Sequence, residues 1–145
     1  MLVHNTVSQE ADISFAGNYF HRLYWCLCPN ANLFIEDKLP DIELFRKHGS
    51  CITLGTDSLA SNSSLSILEE IKTIQFHFPA VPLCEMLMWA TQNGAEALGF
   101  NHLGTFEKGK RPGVILIENI DNNNLGLLPA SWPRLIVMHG YESLY

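Results

Sequence analysis

The sequence has few basic residues, little charge overall and no long apolar run. It contains nine Lys and Arg against fifteen Asp and Glu, a formal net charge of −6, and no basic stripe. That balance gives nucleic-acid binding little electrostatic support. No apolar run approaches the roughly 20 residues of a membrane span, and the first residues lack the basic start and cleavage site of a signal peptide. We therefore expect a cytoplasmic protein that binds neither nucleic acid nor membrane.

Apolar residues make up 47% of the chain, so a sizeable core is possible, whereas charged residues make up only 17%. Soluble domains average about a quarter charged residues, so part of this surface is expected to contact a partner. The four cysteines do not follow a zinc-knuckle spacing. We predict reduced, buried thiols at all four positions, which are Cys26, Cys28, Cys51 and Cys84.

Strands and helices alternate over the first hundred residues, which predicts an α/β fold with a parallel sheet. The predicted strands lie at 2–6, 23–28 and 51–54, and the predicted helices at 8–17, 40–48, 66–78 and 82–99. We expect Pro40 in the first helical position, Ser66 and Glu69 in a capping box, and a turn at 29–32.

The character of the chain changes near Leu103. A turn-rich, basic stretch at 104–113 is followed by predicted strands at 114–117 and 134–138, with a turn at 121–124 and no intervening helix. We therefore predict two domains, at 1–103 and 104–145. Three parallel strands would leave both edges of their sheet open, so we expect either a second copy or further strands to cover them.

Asp57 has the clearest chemical context in the sequence. A short apolar run ends at Leu54, and the carboxylate of Asp57 follows at once, leading into a loop rich in Ser and Asn. Polar groups at the carboxyl ends of parallel strands are where α/β barrels collect their chemistry. By local pattern alone Asp57 is more typical of a turn or helix cap than of a metal ligand, and His4 is either a core imidazole or a site residue.

Four segments, taken in order, form a wider pattern. Residues 2–5 end a strand in a histidine, 28–33 read Cys-Pro-Asn-Ala-Asn-Leu, and 54–63 read Leu-Gly-Thr-Asp-Ser-Leu-Ala-Ser-Asn-Ser. Residues 90–113 form a helix and a return that contains Gly-x-x-x-x-Gly-Lys. This pattern resembles the amidohydrolase superfamily, in the branch of chlorohydrolases, cytosine and guanine deaminases, and S-adenosylhomocysteine or methylthioadenosine deaminases.

The resemblance implies a TIM (β/α)8 barrel with an appended β-sandwich, of which this chain would hold strands six to eight and part of the sandwich. It implies one divalent metal, usually zinc or else iron, held by His residues of strands one and five and by the Asp of strand eight. Asp57 would then be that ligand and the base that carries a proton to the leaving amine. His4 would bind the hydroxide or the developing oxyanion, and Asn32, Ser61 and Asn62 would line the pocket of a heterocyclic amine.

Most of the family's metal site has no counterpart in this sequence. No His-x-His is present, and neither is the strand-five His or the Glu that follows it in the deaminases. Ser58 replaces the family's Gly after the Asp, and Pro112-Gly113 replaces Ala-Asp. The remaining histidines do not end predicted strands; they are His21, His48, His77, His102 and His139. We therefore expect the C-terminal portion of an enzyme, inactive by itself.

Two other functions remain open. The first is a non-catalytic remnant that keeps part of the fold as an interaction module without metal. The second is a free-standing α/β binding domain whose similarity misleads. The enzyme interpretation requires His4 and Asp57 to converge at one end of neighbouring parallel strands. It also predicts a homo-oligomer, or a complement with the rest of the barrel, because the sheet edges are otherwise open.

Overall fold

A three-stranded parallel sheet forms the centre of the chain. The structure, a computed structural model, describes residues 1–137. Strands β1 (Leu2–Val3), β2 (Tyr24–Leu27) and β3 (Cys51–Leu54) lie in the order β1-β2-β3. Leu2 pairs with Trp25, and Tyr24 pairs with Cys51. The predicted parallel sheet is confirmed, with β2 in the middle.

The helices connect and follow these strands. They are α1 (Glu10–Tyr19), α2 (Pro29–Glu36), α3 (Ile42–Lys47), α4 (Ile67–His77), α5 (Leu83–Met88) and α6 (Gly94–Ala97). A π-helical turn (Trp89–Asn93) joins α5 to α6, and Asn93 Nδ2 donates to the Ile52 carbonyl oxygen of β3 at 2.8 Å. None of the helices within residues 1–137 has the length and apolar character that crossing a bilayer requires.

The largest departure from the sequence prediction is at residues 29–32. The predicted turn is wrong, because these residues form the first half of α2. Pro29 occupies the first helical position, where its fixed φ suits a helix and its missing N–H leaves no donor unpaired. The next N–H, that of Asn30, donates to Glu70 Oε2 at 2.9 Å. A partner forty residues away thus supports a helix start whose local sequence is typical of a turn.

Three helix starts and one strand end also differ in detail. α3 begins at Ile42 and not at Pro40, because Asp41 caps the helix: its Oδ1 accepts from the backbone N–H of Leu44 at 3.0 Å. Ser66 precedes α4, but its side chain makes no cap hydrogen bond and Glu69 binds Lys72 instead at 2.7 Å. The residue that caps α1 is Gln9 and not Ser8. β1 ends before His4 and Asn5, because the backbones of these two residues are left-handed, with φ of 68° and 60°.

The core lies on one face of the sheet. Trp25 and Leu27 of β2 and Ile52 of β3 point into a cluster formed with the helices. Phe45 of α3 is fully buried there, and its ring centroid lies 5.0 Å from that of Trp25. The helices therefore cover this face of the sheet, whereas Asp57 lies beyond the carboxyl end of β3.

The opposite face of β2 carries two of the four cysteines. Cys26 and Cys28 are buried as predicted, since alternate residues of a strand point to opposite faces. A Cβ at Gly55 would lie 2.9 Å from Cys26 Sγ and 3.3 Å from Cys28 Sγ, so the close approach of this backbone requires glycine. The predicted burial of the other two thiols is wrong: Cys51 and Cys84 are exposed, because the first starts a strand and the second lies in the first turn of α5.

A β-hairpin completes the described chain. Strands β4 (Val114–Asp121) and β5 (Gly126–Val137) pair antiparallel and contain the two strands that were predicted, over longer ranges. The Gln75 side chain of α4 exchanges two hydrogen bonds with the Leu127 backbone, each 2.8 Å. The domain boundary near Leu103 stays a prediction, and the predicted strand residue Met138, with His139, lies outside the described residues.

Candidate active site

His4 and Asp57 meet at the carboxyl ends of the parallel strands. His4 directly follows β1 and Asp57 lies three residues beyond β3. His4 Nε2 lies 4.0 Å from Asp57 Oδ2, and the two side chains are 37% and 35% exposed. An imidazole and a carboxylate at this distance, both open to solvent, form a pair that a small molecule can reach.

The two residues are brought together across β2 and not from neighbouring strands. The expectation of adjacent strands is therefore wrong, because β2 lies between β1 and β3. Both residues adopt left-handed backbones, with φ of 68° at His4 and 57° at Asp57. Such conformations are uncommon outside glycine and cost on the order of 1–3 kcal/mol each, and they cluster at functional sites. The strand ends thus store strain where the pair forms.

Ser61 orients the carboxylate of Asp57. Its Oγ donates to Asp57 Oδ2 at 2.5 Å, from the loop that follows β3. Hydrogen bonds to charged groups are stronger than those between neutral groups. The loop rich in Ser and Asn, which had a turn interpretation, therefore folds back on Asp57 and fixes one of its two oxygens.

The two predicted pocket asparagines lie in the interior. Asn32 Nδ2 donates to Thr6 Oγ1, while Asn32 Oδ1 is buried without a hydrogen-bond partner in residues 1–137. Asn62 Nδ2 donates to the Thr56 carbonyl oxygen at 2.7 Å. These contacts tie together the segments next to His4 and Asp57. That Asn32, Ser61 and Asn62 contact a substrate stays a prediction.

Glu70 is the residue of this region that the sequence analysis missed. Its side chain is fully buried on α4 and accepts hydrogen bonds from Asn30 and Asn62. Burial raises the pKa of Glu70, and the hydrogen bonds from the two asparagines oppose that rise. A signal was present, because position 70 falls on the same helix face as Ile67 and Ile74, where an apolar residue is expected.

The two buried thiols that follow one another on β2 and at its end affect each other's pKa. Hydrogen bonding from Cys28 is the main cause that lowers the pKa of Cys26, to about 6, and the charge of His4 adds to it. The same hydrogen bond, together with burial, raises the pKa of Cys28. Cys26 is therefore the more acidic of the two thiols.

The donors that the described residues offer do not make a whole metal site. Within residues 1–137, no group of three or more His, Cys, Asp and Glu is placed to hold a metal ion. Asp57 and His4 are donor types that zinc accepts, but zinc sites use three or four protein ligands. The residues present thus fit a share of a zinc site only.

Two grooves of the described residues lie away from His4 and Asp57. One of about 940 Å³ opens between α2, α4 and the hairpin, and another of about 640 Å³ lies beside α1 and the start of β2. Neither is lined by His4 or Asp57.

Comparison with known proteins decides the family. The model of the amidohydrolase family matches residues 1–139, nearly the whole chain. The chain belongs to the amidohydrolase family. The resemblance drawn from the four sequence segments is thereby confirmed.

Related amidohydrolases include deaminases of known sequence. A 5-methylthioadenosine/S-adenosylhomocysteine deaminase of Teredinibacter turnerae is 32% identical over 140 residues, which are 90% of this chain and 30% of the relative. Its counterpart in Shouchella clausii is 38% identical over 97 residues, 62% of this chain and 22% of the relative. The chain thus spans less than a third of the length of these relatives.

Solved amidohydrolase structures agree in fold. A zinc-bound adenosine deaminase from Xanthomonas campestris superposes with a TM-score of 0.70 at 27% identity, covering 80% of this chain and 28% of that one. An aminofutalosine deaminase from Helicobacter pylori gives 0.68 at 30% identity, covering 77% and 28%. The mixed α/β fold is consistent with part of the family's barrel, and zinc is confirmed for the family. That the strands are numbers six to eight stays a prediction.

Proposed function

We propose that this chain is the part of a metal-dependent deaminase that carries its catalytic Asp57 and His4. The reaction is hydrolysis of an exocyclic C–N bond in a purine-like or pyrimidine-like heterocycle, which yields a carbonyl and ammonia. The observation that supports it is the 4.0 Å approach of these two side chains at the carboxyl ends of β1 and β3. The names of the deaminase relatives favour a purine with an amino group.

Asp57 has two roles in this proposal, as a ligand to the metal and as a proton carrier. Zinc supplies a Lewis acid that lowers the pKa of water to about 7. Asp57 accepts a proton from the attacking water and delivers it to the amine, which leaves as ammonia. Ser61 holds Asp57 Oδ2 in one orientation, so a well-placed carboxylate meets the water without first reorganising.

His4 faces the same reacting centre from β1. Its imidazole lies where it can donate to the attacking oxygen or to the oxyanion that develops on the substrate, which stabilises the transition state. Asn32 and Asn62 brace this arrangement from the interior, and their burial favours that bracing over direct contact with the heterocycle. Substrate contacts beyond His4 and Asp57 come from other parts of the enzyme.

The remaining metal donors come from outside the described residues, either from other parts of the same polypeptide or from a second chain. We propose that residues 1–103 belong to strands six to eight of the barrel and that 104–145 belong to the β-sandwich. A non-catalytic remnant is the second candidate. It is favoured by the two-donor site and by Ser58 in the position of the family's glycine.

The test compares two proteins: the 145-residue chain, and a longer protein in which this chain replaces the matching 30% of the Teredinibacter turnerae relative. Adenosine, 5-methylthioadenosine, S-adenosylhomocysteine and cytosine are assayed for ammonia release, and zinc is measured by mass spectrometry. We expect no zinc retention or activity from the chain alone, and about one zinc with ammonia release from the longer protein. A longer protein without zinc or activity would favour the remnant, and stoichiometric zinc in the chain alone would contradict the two-donor count.

Self-association is a separate expectation. Within residues 1–137 no strand pairs with the outer edge of β1, whose Leu2 and Val3 are exposed, and Phe15 and Tyr19 of α1 add exposed apolar surface. Unpaired edges and apolar patches favour pairing between chains. Sedimentation at micromolar concentration is expected to show dimers or larger species. Val3→Lys, which charges the edge, should shift them toward monomer, and a sharp monomer boundary for the unmodified chain would contradict the expectation.

A further inference from the structure

Glu70 is a fully buried carboxylate that the proposed reaction does not use. Its Oε2 accepts the backbone N–H of Asn30 at 2.9 Å. Its Oε1 accepts Asn30 Nδ2 at 3.0 Å and Asn62 Nδ2 at 2.7 Å. Three N–H donors, two from the first turn of α2 and one from the loop after β3, therefore converge on one side chain of α4.

These donors lead to both members of the site. Asn62 Nδ2 also donates to the Thr56 carbonyl at 2.7 Å, and Thr56 directly precedes Asp57. On the other side, Asn30 opens the helix that carries Asn32, whose side chain donates to Thr6 two residues after His4. Glu70 thus stands at the junction of the three segments that follow β1, β2 and β3.

We propose that Glu70 is a positioning residue. Its buried carboxylate holds the first turn of α2 and the loop after β3 in place, so that Asp57 faces His4. Glu70 touches neither of these two residues and acts through Asn62 and Asn30. The catalytic consequence of this positioning rests on the proposed function. The contacts of Glu70 with the two segments do not depend on that function.

The donor pattern explains why a carboxylate is needed. An ionised carboxylate only accepts, and all three of its neighbours donate. A protonated acid or a Gln would turn one oxygen position into a donor, which would then face another N–H. Since an unpaired buried donor is costly, the isosteric Gln is a sharp probe of this arrangement.

A structural role alone does not account for the choice of residue. Burial raises the pKa of Glu70 above the 4.5 of an exposed Glu, so ionising it in the folded chain loses stability as the pH rises above that value. An apolar residue would avoid that loss but would leave the buried N–H donors of Asn30 and Asn62 without their acceptor. The nearby groups that titrate are Glu69, whose charge raises the Glu70 pKa further, and Cys28, whose own pKa the Glu70 charge raises.

The experiment is hydrogen exchange on the 145-residue chain, comparing Glu70→Gln with Glu69→Gln. The two changes are identical in chemistry and adjacent in sequence, but Glu69 is half-exposed and pairs with Lys72. We expect amides of 30–32 and 56–62 to exchange about tenfold faster or more in Glu70→Gln, with β2 and β3 unchanged. Glu69→Gln should match the unmodified chain. Unchanged loop exchange, or a uniform rise across the sheet, would overturn the proposal.

A second variant applies if Glu70→Gln does not fold. Asn62→Ala removes only the arm toward β3, so exchange should rise at 56–61 while the Asn30 amide keeps its protection. Equal loss on both arms would overturn the proposal. In the longer protein, if active, Glu70→Gln should lower kcat about tenfold or more with little change in KM, and Glu69→Gln should not. If that protein is inactive, the proposed function fails, and the exchange result still decides the role of Glu70.

Discussion

Asp57→Asn is expected to lower kcat for ammonia release by about 10³-fold or more in the active deaminase. Asn has nearly the same shape and can still accept the Ser61 hydrogen bond, so the loop should keep its fold. It carries no charge for a metal and cannot take the proton of water. Steady-state kinetics together with zinc content per polypeptide measures both losses.

Asp41→Asn is the matched control for this substitution. Asp41 caps α3 by accepting the Leu44 N–H, and this helix precedes β3 and carries no residue of the site. Asn caps helices about as well as Asp, so the same loss of charge should leave kcat within about twofold. A kcat for Asp57→Asn within tenfold of the unmodified enzyme would show that Asp57 is neither ligand nor base.

The sheet and the strand-end location of the site were predictable because their causes are local. Short apolar runs at 23–28 and 51–54 read as buried parallel strands, and the structure confirms both to within two residues at each end. A residue just after such a strand is bound to lie at its carboxyl end. Asp57 and His4 were therefore placed at the correct edge before any contact was known.

The order of the strands follows from the barrel resemblance and not from the local sequence. Consecutive strands of a TIM barrel are neighbours, so the second of three lies between the other two, as β2 does. The approach of His4 to Asp57 also depends on two left-handed backbones, and His and Asp are enriched among the non-glycine residues that adopt them, which is only a weak signal in the sequence. The 4.0 Å approach of His4 and Asp57 depends on the conformation of the loops. Sequence spacing therefore predicted at which edge of the sheet the two residues lie, but not the backbone conformation that brings them together.

The buried polar network shows the same limit more strongly. The helix start at Asn30 and the side chain of Asn62 both depend on Glu70, which is forty and eight residues away, respectively. Local rules predict a turn at the first, and the family resemblance implies a pocket residue at the second. The sequence signal was a carboxylate on the apolar face of α4. It predicts that Glu70 has buried hydrogen-bond partners, but it does not identify them.

The metal site illustrates a third kind of limit. The matching region is under a third of the length of the relatives, and the described residues bring only two donors together. Donor type follows from the residues, whereas coordination number follows from the whole assembly. In the proposed function Asp57 therefore carries the chemistry, while the retention of zinc depends on donors outside the described residues.

Phe45→Ala is expected to reduce the free energy of unfolding by about 3–5 kcal/mol. Phe45 is fully buried on α3 and packs against Trp25 of the central strand, so its removal leaves a cavity under the sheet. Domains have about 5–15 kcal/mol in total, and this chain already exposes apolar side chains at β1 and α1. Urea denaturation followed by Trp fluorescence should show a large shift in midpoint or an unfolded chain.

Phe34→Ala separates burial from the chemical change itself. Phe34 also lies on a helix, α2, but its side chain is 71% exposed. The same truncation should therefore change the free energy of unfolding by no more than about 0.5 kcal/mol. Equal effects of the two substitutions would mean that Phe34 is covered by a partner in solution, or that Phe45 does not anchor the core. Sedimentation of the Phe34→Ala chain distinguishes these causes, because only a covered Phe34 would change the association state when truncated.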